Sequence, residues 1–295
     1  MSTLILKLNA AGDVVRTTPL LRVLEGPVAW ITAKRNLPLI ERVHENLTCL
    51  SWEDRAQVLE SNYDLLINLE DDMQVAEFAN RIRCLRRFGA IVDEHGELGY
   101  TDEAKGWFDL SLISRFGRRR ADELKLQNRR TYQDLIFEGL GLEFREERYL
   151  LPRPIGTSLK GDVAIASVSG PVWPMKHWAF YSELKEALES SGLTVSVLPQ
   201  RPSVLEHLGD IANHRCVVGG DSLPMHLALG LGMGSVAIFN CTSPWEICDY
   251  GIQTKLVSPL IDQYFYRRDS AVHATRAISL QTVLAATLDR LTRNP

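Results

Sequence analysis

Three short segments of the sequence place polar side chains directly after an apolar run, where they could do chemistry. In the first, Gly12 and Asp13 follow the apolar run Leu4–Leu8 and precede a helical pattern of apolar residues. Two roles for Asp13 fit this spacing. An aspartate at the start of a helix often caps that helix. The positive end of the helix would also keep the carboxylate ionised, which is the state that a general base needs.

The second segment follows the apolar run Val163–Ala166 and contains Ser169, Gly170 and Lys176. Hydroxyl and backbone N–H donors beside a mobile cation are what a phosphate-binding loop requires. A solvated lysine next to a structural tryptophan, Trp178, fits the same residues. The sequence of this segment leaves both interpretations open.

The third segment runs from an apolar strand through Gly219 and Gly220 into Asp221 and Ser222. These residues open an apolar helix, whose first N–H groups can bind an anion or can be capped by the Asp221 side chain. His226 lies about one turn into that helix. By itself, a histidine in this position is more typical of a satisfied core residue than of a ligand.

Apolar runs and helical patterns alternate along the chain and position these segments. Short strands that are apolar on both faces and separated by helices predict a parallel sheet with both sides covered. The alternation stops at Leu150–Asp162, which contains prolines and a glycine, and then restarts. We therefore predict an α/β protein of two Rossmann-like domains, 1–155 and 156–295, whose parallel sheets face a central cleft. Ligands bind at the carboxyl ends of strands in such sheets, which is where the three segments lie.

Other parts of the pattern give local predictions. Apolar residues recur at helical spacing over residues 73–87, which predicts a helix there. The stretch Ser279–Leu291 predicts a closing amphipathic helix, which could pack back onto the first domain. The acidic triplet Glu70–Asp72 predicts a solvated loop.

Composition and missing motifs exclude several classes of protein. The chain has 295 residues and a net charge of −4, unlike the clearly basic proteins that bind nucleic-acid duplexes. Its start lacks the long apolar run of a signal peptide, and its five cysteines include no CxxC pair, which predicts a cytoplasmic protein. The motifs of P-loop nucleotidases, nicotinamide-binding enzymes and zinc hydrolases are also missing. We therefore expect no nucleic-acid partner.

The three segments together resemble the family 9 glycosyltransferases, the ADP-heptose-dependent heptosyltransferase family. Gly12–Val14 and Thr18–Leu21 are similar to the Gly-Asp-Val turn and the Thr-Pro-Leu-Leu helix with which the family opens. Lys176–Trp178 matches its Lys-x-Trp motif, and Asp221–Ala228 resembles its Asp-Thr/Ser-Gly-x-x-His-Leu-Ala signature. Leu223 stands where the family usually has glycine.

The resemblance implies a GT-B architecture, inversion at the transferred sugar, no required metal and no cofactor, with ADP-heptose as the donor substrate. By position, Asp13 would be the catalytic base. The residues that the resemblance assigns to the donor are Lys176, Ser222, Leu223 and Ser169 around the diphosphate, Asp221 and His226 in the signature, and Glu206 at the ribose.

The implied function is transfer of a heptose to a bacterial glycan of the lipopolysaccharide core type. Three alternatives stay open. The acceptor could be a protein or a small natural product, the donor could carry another sugar, or the chain could be a non-catalytic protein that binds nucleotide sugars.

A basic stretch in the N-terminal half could contact the acceptor, which the family binds on its N-terminal domain. Residues 115–130 carry seven basic and two acidic side chains, among them Arg118, Arg119 and Arg120. Arginine forks suit phosphate and carboxylate groups, so the stretch could attract an anionic glycan. It could equally make a peripheral contact with the inner face of the membrane. A solvated helix face without a ligand fits the same charges.

Overall fold

The structure of the chain, a computed structural model, describes residues 1–111, 115–170 and 172–293. Pro171, which belongs to the second polar segment, lies outside the described residues. The chain divides into two compact units, Met1–Pro152 and Arg153–Pro295. The predicted boundary, after residue 155, lies close to this division. Among the described residues, no helix has both the length and the apolar character needed to cross a bilayer.

The described strands of the first unit form one six-stranded sheet with the order β3-β2-β1-β4-β5-β6. These strands are β1 (Thr3–Leu6), β2 (Val28–Thr32), β3 (Leu47–Ser51), β4 (Asn62–Asn68), β5 (Arg83–Val92) and β6 (Leu98–Tyr100). The pairs from β3 to β5 are parallel, but β6 runs antiparallel to β5. Gly96 has a φ of 82° in the connecting turn, which lets the chain reverse within a few residues.

The helices of the first unit lie between these strands or after them. They are α1 (Ala11–Thr17), α2 (Leu37–Ile40), α3 (Met73–Asn80), α4 (Lys105–Phe108), α5 (Gly117–Gln127) and α6 (Tyr132–Leu140). The helix predicted over residues 73–87 is therefore wrong after Asn80. Residues 83–87 of that stretch belong to β5, where pairing with β4 stabilises the extended backbone despite the helical spacing of apolar residues.

The described strands of the second unit form a five-stranded, fully parallel sheet with the order β11-β10-β9-β7-β8. They are β7 (Val163–Ala166), β8 (Val195–Val197), β9 (Cys216–Gly220), β10 (Gly234–Phe239) and β11 (Gln253–Val257). The helices are α7 (Tyr181–Ser190), α8 (Val204–Ala212), α9 (Leu223–Gly230), α10 (Ile261–Tyr264), α11 (Val272–Thr275) and α12 (Leu280–Arg293). The closing amphipathic helix is confirmed: α12 packs against α7 and β10, with Val283 and Leu291 buried in the core.

Both sheets confirm the predicted α/β class, and each has a point where the order of its strands reverses. The reversal lies between β1 and β4 in the first sheet and between β7 and β9 in the second. Loops on either side of such a point leave in opposite directions and open a crevice at the carboxyl ends of the strands. The three polar segments follow β1, β7 and β9, so each lies at a reversal point.

Candidate functional site

Asp13 lies in the first turn of α1, in the loop region that follows β1. The N-cap position of α1 belongs to Ala10, which has a φ of 57°, so the capping role considered for Asp13 does not apply. The Asp13 carboxylate instead lies 3.0 Å from Arg16 Nε and 4.0 Å from Lys7 Nζ. About a third of the Asp13 side chain, 33%, is exposed. Asp13 is therefore a carboxylate held between two cations and open to solvent on one side.

Lys7 and Glu70 form a buried ion pair next to Asp13. Lys7 Nζ lies 2.8 Å from Glu70 Oε1, and both side chains are only 7% exposed. The same carboxylate oxygen accepts the backbone N–H groups of Leu8 at 2.7 Å and Asn9 at 3.1 Å. The prediction that Glu70 lies in a solvated loop is therefore wrong. Its carboxylate, at the end of β4, holds the loop that leaves β1.

The rest of the acidic triplet is also engaged in the fold. Asp71 accepts hydrogen bonds from Tyr100 Oη at 2.6 Å and from the Ser111 hydroxyl. Asp72 is the N-cap of α3, where its side chain accepts the N–H group of Val75 at 3.1 Å. Each of the three acids thus has a separate structural partner, which the run of charges does not reveal.

Arg16 is fixed from its other side by α6. Its guanidinium carbon lies 3.9 Å from the centroid of the Tyr132 ring, and Gln133 donates a hydrogen bond of 2.8 Å to the Arg16 carbonyl oxygen. The Tyr132 hydroxyl also lies 2.8 Å from Thr17 Oγ1. These contacts attach α1 to α6 and hold the guanidinium beside the Asp13 carboxylate.

Burial and charge decide the protonation states around Asp13. Burial alone would lower the pKa of Lys7, but the negative charges of Glu70 and Asp13 hold that pKa above its ordinary value. Burial raises the pKa of Tyr132 to about 12. At neutral pH, Lys7 is therefore a cation and Tyr132 is a neutral phenol.

In the second unit, the loops after β7 and β9 meet through Lys176 and Asp221. Lys176, in the short 3-10 turn Pro174–Lys176, donates to the Asp221 backbone oxygen at 2.8 Å and to its carboxylate at 2.9 Å. A Cβ atom at Gly220 would lie 2.8 Å from the Lys176 carbonyl oxygen, so the loops can approach this closely only with glycine there. The two side chains are 17% and 15% exposed. Lys176 is therefore not the freely solvated lysine that the sequence also allowed.

The start of α9 lies beside this ion pair. Ser222 is the N-cap residue, and its hydroxyl donates to the Gly220 carbonyl oxygen at 3.3 Å. Because Ser222 holds that position, Asp221 does not take the capping role considered for it. Leu223 is the first residue of the helix and is half-buried. His226 is buried one turn later, with Nε2 4.0 Å from the Asp221 carboxylate.

Two other residues assigned to the donor lie on neighbouring elements of the same unit. Ser169 is half-buried in the loop after β7, upstream of Lys176. Glu206 lies on α8, which packs against α9. Its Oε2 atom is buried and has no hydrogen-bond partner among the described residues, and its role at the ribose stays a prediction.

The basic stretch of the first unit forms α5. Arg118, Arg119 and Arg120 are 45%, 96% and 50% exposed along their side chains. They pair with Asp122 and Glu123 on the same helix at 3.8, 3.6 and 3.0 Å. The helix therefore supplies part of its own counter-charge, and a role in acceptor binding stays a prediction.

The residues that sequence reasoning missed are Lys7, Arg16, Glu70 and Tyr132. Lys7 lies inside the apolar run Leu4–Leu8, and Glu70 directly follows a second apolar run, Leu65–Leu69. That signal becomes informative only when β1 and β4 are known to be neighbours. The described residues contain no group of three or more His, Cys, Asp and Glu side chains that could hold a metal ion.

Comparisons with known proteins identify the fold. No protein-family model and no curated protein matches the chain. Escherichia coli heptosyltransferase WaaC with ADP-2-deoxy-2-fluoro heptose has a TM-score of 0.65 at 14% identity, over 98% of this chain and 99% of WaaC. A glycosyl transferase of family 9 from Veillonella parvula has a TM-score of 0.67 at 15% identity, over 99% of this chain and 97% of that one. The chain has the fold of the family 9 glycosyltransferases.

A third solved structure supports this assignment. The ADP-heptose lipopolysaccharide heptosyltransferase II of Escherichia coli has a TM-score of 0.63 at 14% identity, and the match covers 99% of both chains. The shared fold therefore extends over both units of this chain. In this chain, a lysine and a carboxylate lie close together at the strand-order reversal of each sheet.

Proposed function

We propose that the chain is an inverting, metal-independent glycosyltransferase of family 9 that transfers a heptose from ADP-heptose to a bacterial glycan of the lipopolysaccharide core type. The observation that carries this proposal is that each sheet places a lysine and a carboxylate at the point where its strand order reverses. The first sheet presents the Asp13 carboxylate, which is held by Lys7 and Arg16 and is partly exposed. The second sheet presents a cation, Lys176. The solved neighbours with this fold include a heptosyltransferase whose structure holds an ADP-heptose analogue.

The proposed reaction is a single displacement at the anomeric carbon. The acceptor hydroxyl attacks that carbon while its proton passes to the Asp13 carboxylate. The bond from the anomeric carbon to the diphosphate oxygen breaks, and ADP leaves with that electron pair. Attack from the face opposite the leaving group inverts the configuration of the sugar. General base catalysis of this kind typically contributes about 10²–10⁴-fold to the rate.

The donor would bind in the second unit. An ammonium has three N–H donors, and Lys176 uses two contacts on Asp221, so a third can bind a diphosphate oxygen. The first N–H groups of α9, at Ser222 and Leu223, and the Ser169 hydroxyl would add donors to the same anion. The buried Glu206 oxygen would accept hydrogen bonds from the ribose. The positive charge of Lys176 then offsets the charge that develops on the departing ADP without a metal ion.

The acceptor would bind in the first unit, with the arginines of α5 drawing an anionic glycan towards it. We propose that the reaction takes place in the cytoplasm, at most with a peripheral contact to the inner membrane face. The five cysteines are free thiols, which fits a reducing compartment.

The experiment that tests this function uses the purified full chain with ADP-heptose. Calorimetry should show binding of ADP in preference to UDP. Incubation with heptose-free lipopolysaccharide core should release ADP and add one heptose of inverted configuration, with no effect of EDTA. Binding of ADP without any turnover would instead favour a non-catalytic protein, and absence of both would contradict the proposal.

A further inference from the structure

The buried Lys7–Glu70 pair lies beside the half-exposed Asp13 carboxylate. A buried ion pair adds little net stability compared with well-packed apolar side chains of the same volume. Lys7 nevertheless contacts two carboxylates, at 2.8 Å on Glu70 and 4.0 Å on Asp13. The position of its ammonium therefore points to a role in the site and not only in the core.

Glu70 fixes the position of that ammonium. Its Oε1 atom accepts three donors, which are Lys7 Nζ and the backbone N–H groups of Leu8 and Asn9. The backbone N–H group of Glu70 in turn donates to Asn68 Oδ1 at 3.1 Å. This chain of hydrogen bonds joins the end of β4 to the loop that leaves β1, so Lys7 has little freedom to move.

A fixed cation affects whether a neighbouring carboxylate is ionised. An opposite charge within about 4–6 Å favours the charged form of a carboxylate. Lys7 and Arg16 both act on Asp13 in this way, Lys7 from the loop after β1 and Arg16 from α1 itself. Tyr132 faces the group from α6 as a neutral phenol, because burial raises its pKa to about 12. Glu70 raises the pKa of Lys7 against the effect of burial, so the ammonium stays charged.

We propose that Lys7 is a positioning residue that keeps the Asp13 carboxylate ionised and oriented, and that Glu70 holds Lys7 in place for this purpose. The inference rests on the proposed role of Asp13 as the base. A carboxylate can take the proton of an attacking hydroxyl only when it is ionised. Activity then falls on the acid side as Asp13 is protonated, and Lys7 helps to set the pH at which this occurs.

The test is the pH profile of ADP release from ADP-heptose with water as the acceptor. The variant Lys7→Met/Glu70→Gln removes both charges, while an amide oxygen can still accept the two backbone N–H groups. Without the Lys7 cation, Asp13 is protonated more readily, so the acid limb of kcat/KM should move to higher pH by about one unit. A loss of packing alone would lower the rate at every pH without moving the limb.

Two further variants test the role of Glu70 and control for the loss of a Lys–Glu pair. Glu70→Gln alone keeps the lysine but removes the carboxylate that holds it and favours its charged form, so its acid limb should also move to higher pH, by no more than that of the double variant. The matched control is Lys185→Met/Glu189→Gln, which removes an exposed Lys–Glu pair on α7. Its pH profile should equal that of the wild type.

The proposal is overturned if the folded double variant has its acid limb at the wild-type pH. It is equally overturned if Glu70→Gln leaves the limb at the wild-type pH or moves it downwards, and this single variant decides the question if the double variant does not fold. Asp13→Asn distinguishes the two proposals. If Asp13→Asn leaves ADP release unchanged, the base assignment fails. If it abolishes ADP release while the double variant shows no shift, only the role of Lys7 fails.

Discussion

The two sites at the strand-order reversals each contain a lysine and a carboxylate, but they differ in how far each of these side chains is exposed. In the first unit Asp13 is 33% exposed, while Lys7 is buried against a second carboxylate, Glu70. In the second unit Lys176 and Asp221 are exposed to a similar, small extent. A lysine held by a buried acid cannot reach a ligand, whereas a lysine in a partly exposed pair can also bind a phosphate with its third N–H group. The first site is therefore suited to present a base and the second to present a cation.

The largest expected effect comes from removing the proposed base, which should change turnover but not ADP binding. Asp13→Asn keeps the size of the side chain but removes the charge that accepts the proton, so turnover should fall by about 10²–10⁴-fold. Binding of ADP should stay within a few-fold of the wild-type value, because the proposed donor site lies in the second unit. Turnover is measured with ADP-heptose and affinity by calorimetry with ADP. Near-normal turnover would contradict the role of Asp13.

The next effect removes the cation of the second site. Lys176→Ala should weaken ADP binding by about 10- to 100-fold, the effect of losing a hydrogen bond to a charged group. Turnover should fall with it, because charge on the departing ADP is no longer offset. Lys176→Ala/Asp221→Asn should recover part of the ADP affinity, since it also removes the carboxylate that would repel the diphosphate. EDTA should change neither constant, and a strong dependence on a divalent metal would contradict this mechanism.

Mildly acid pH should lower the stability of the second unit through two histidines, one on α8 and one just after it. Burial lowers the pKa of His207 and of His214 below the ordinary value of 6.5. The unfolded chain then binds more protons than the folded one, so stability decreases as the pH falls through 6.5. The melting temperature should drop by a few degrees between neutral and mildly acid pH, and by less in His207→Gln. Equal drops in the two proteins would show that His207 does not contribute.

The comparison of the sites also shows what the sequence could predict. Strand β7 is buried along its whole length, and its bounds coincide with the apolar run Val163–Ala166 of the sequence. Asp13, Lys176 and Asp221 were found because each follows such a run. The wrong prediction for β5 has a physical cause in its residues. Arg83 and Leu85 are exposed along this strand, so it lacks the apolar pattern of the others.

The partners of these residues could not be predicted, because they depend on the order of strands in the sheet. Glu70 reaches Lys7 only because β4 lies beside β1, and Lys176 reaches Asp221 only because β9 lies beside β7. The spacing of residues along the chain does not contain that order. A run of three acids also looks the same in sequence whether it is solvated or buried.

The smallest expected effect concerns the surface of α5. Its arginine side chains are more exposed than the charged groups of either site, so dissolved ions screen them more strongly. Arg118→Ser/Arg119→Ser/Arg120→Ser should raise the KM of an anionic glycan acceptor by about two- to five-fold, since exposed charges interact weakly in water. The dependence of KM on salt should flatten, because attraction over such a surface is screened within about 8 Å at physiological ionic strength. The opposite variant, Asp122→Asn/Glu123→Gln, removes the acids that pair with these arginines and should lower KM. ADP affinity should be the same in both. If KM is insensitive to both variants and to salt, the acceptor does not bind through this helix, and α5 is a solvated face.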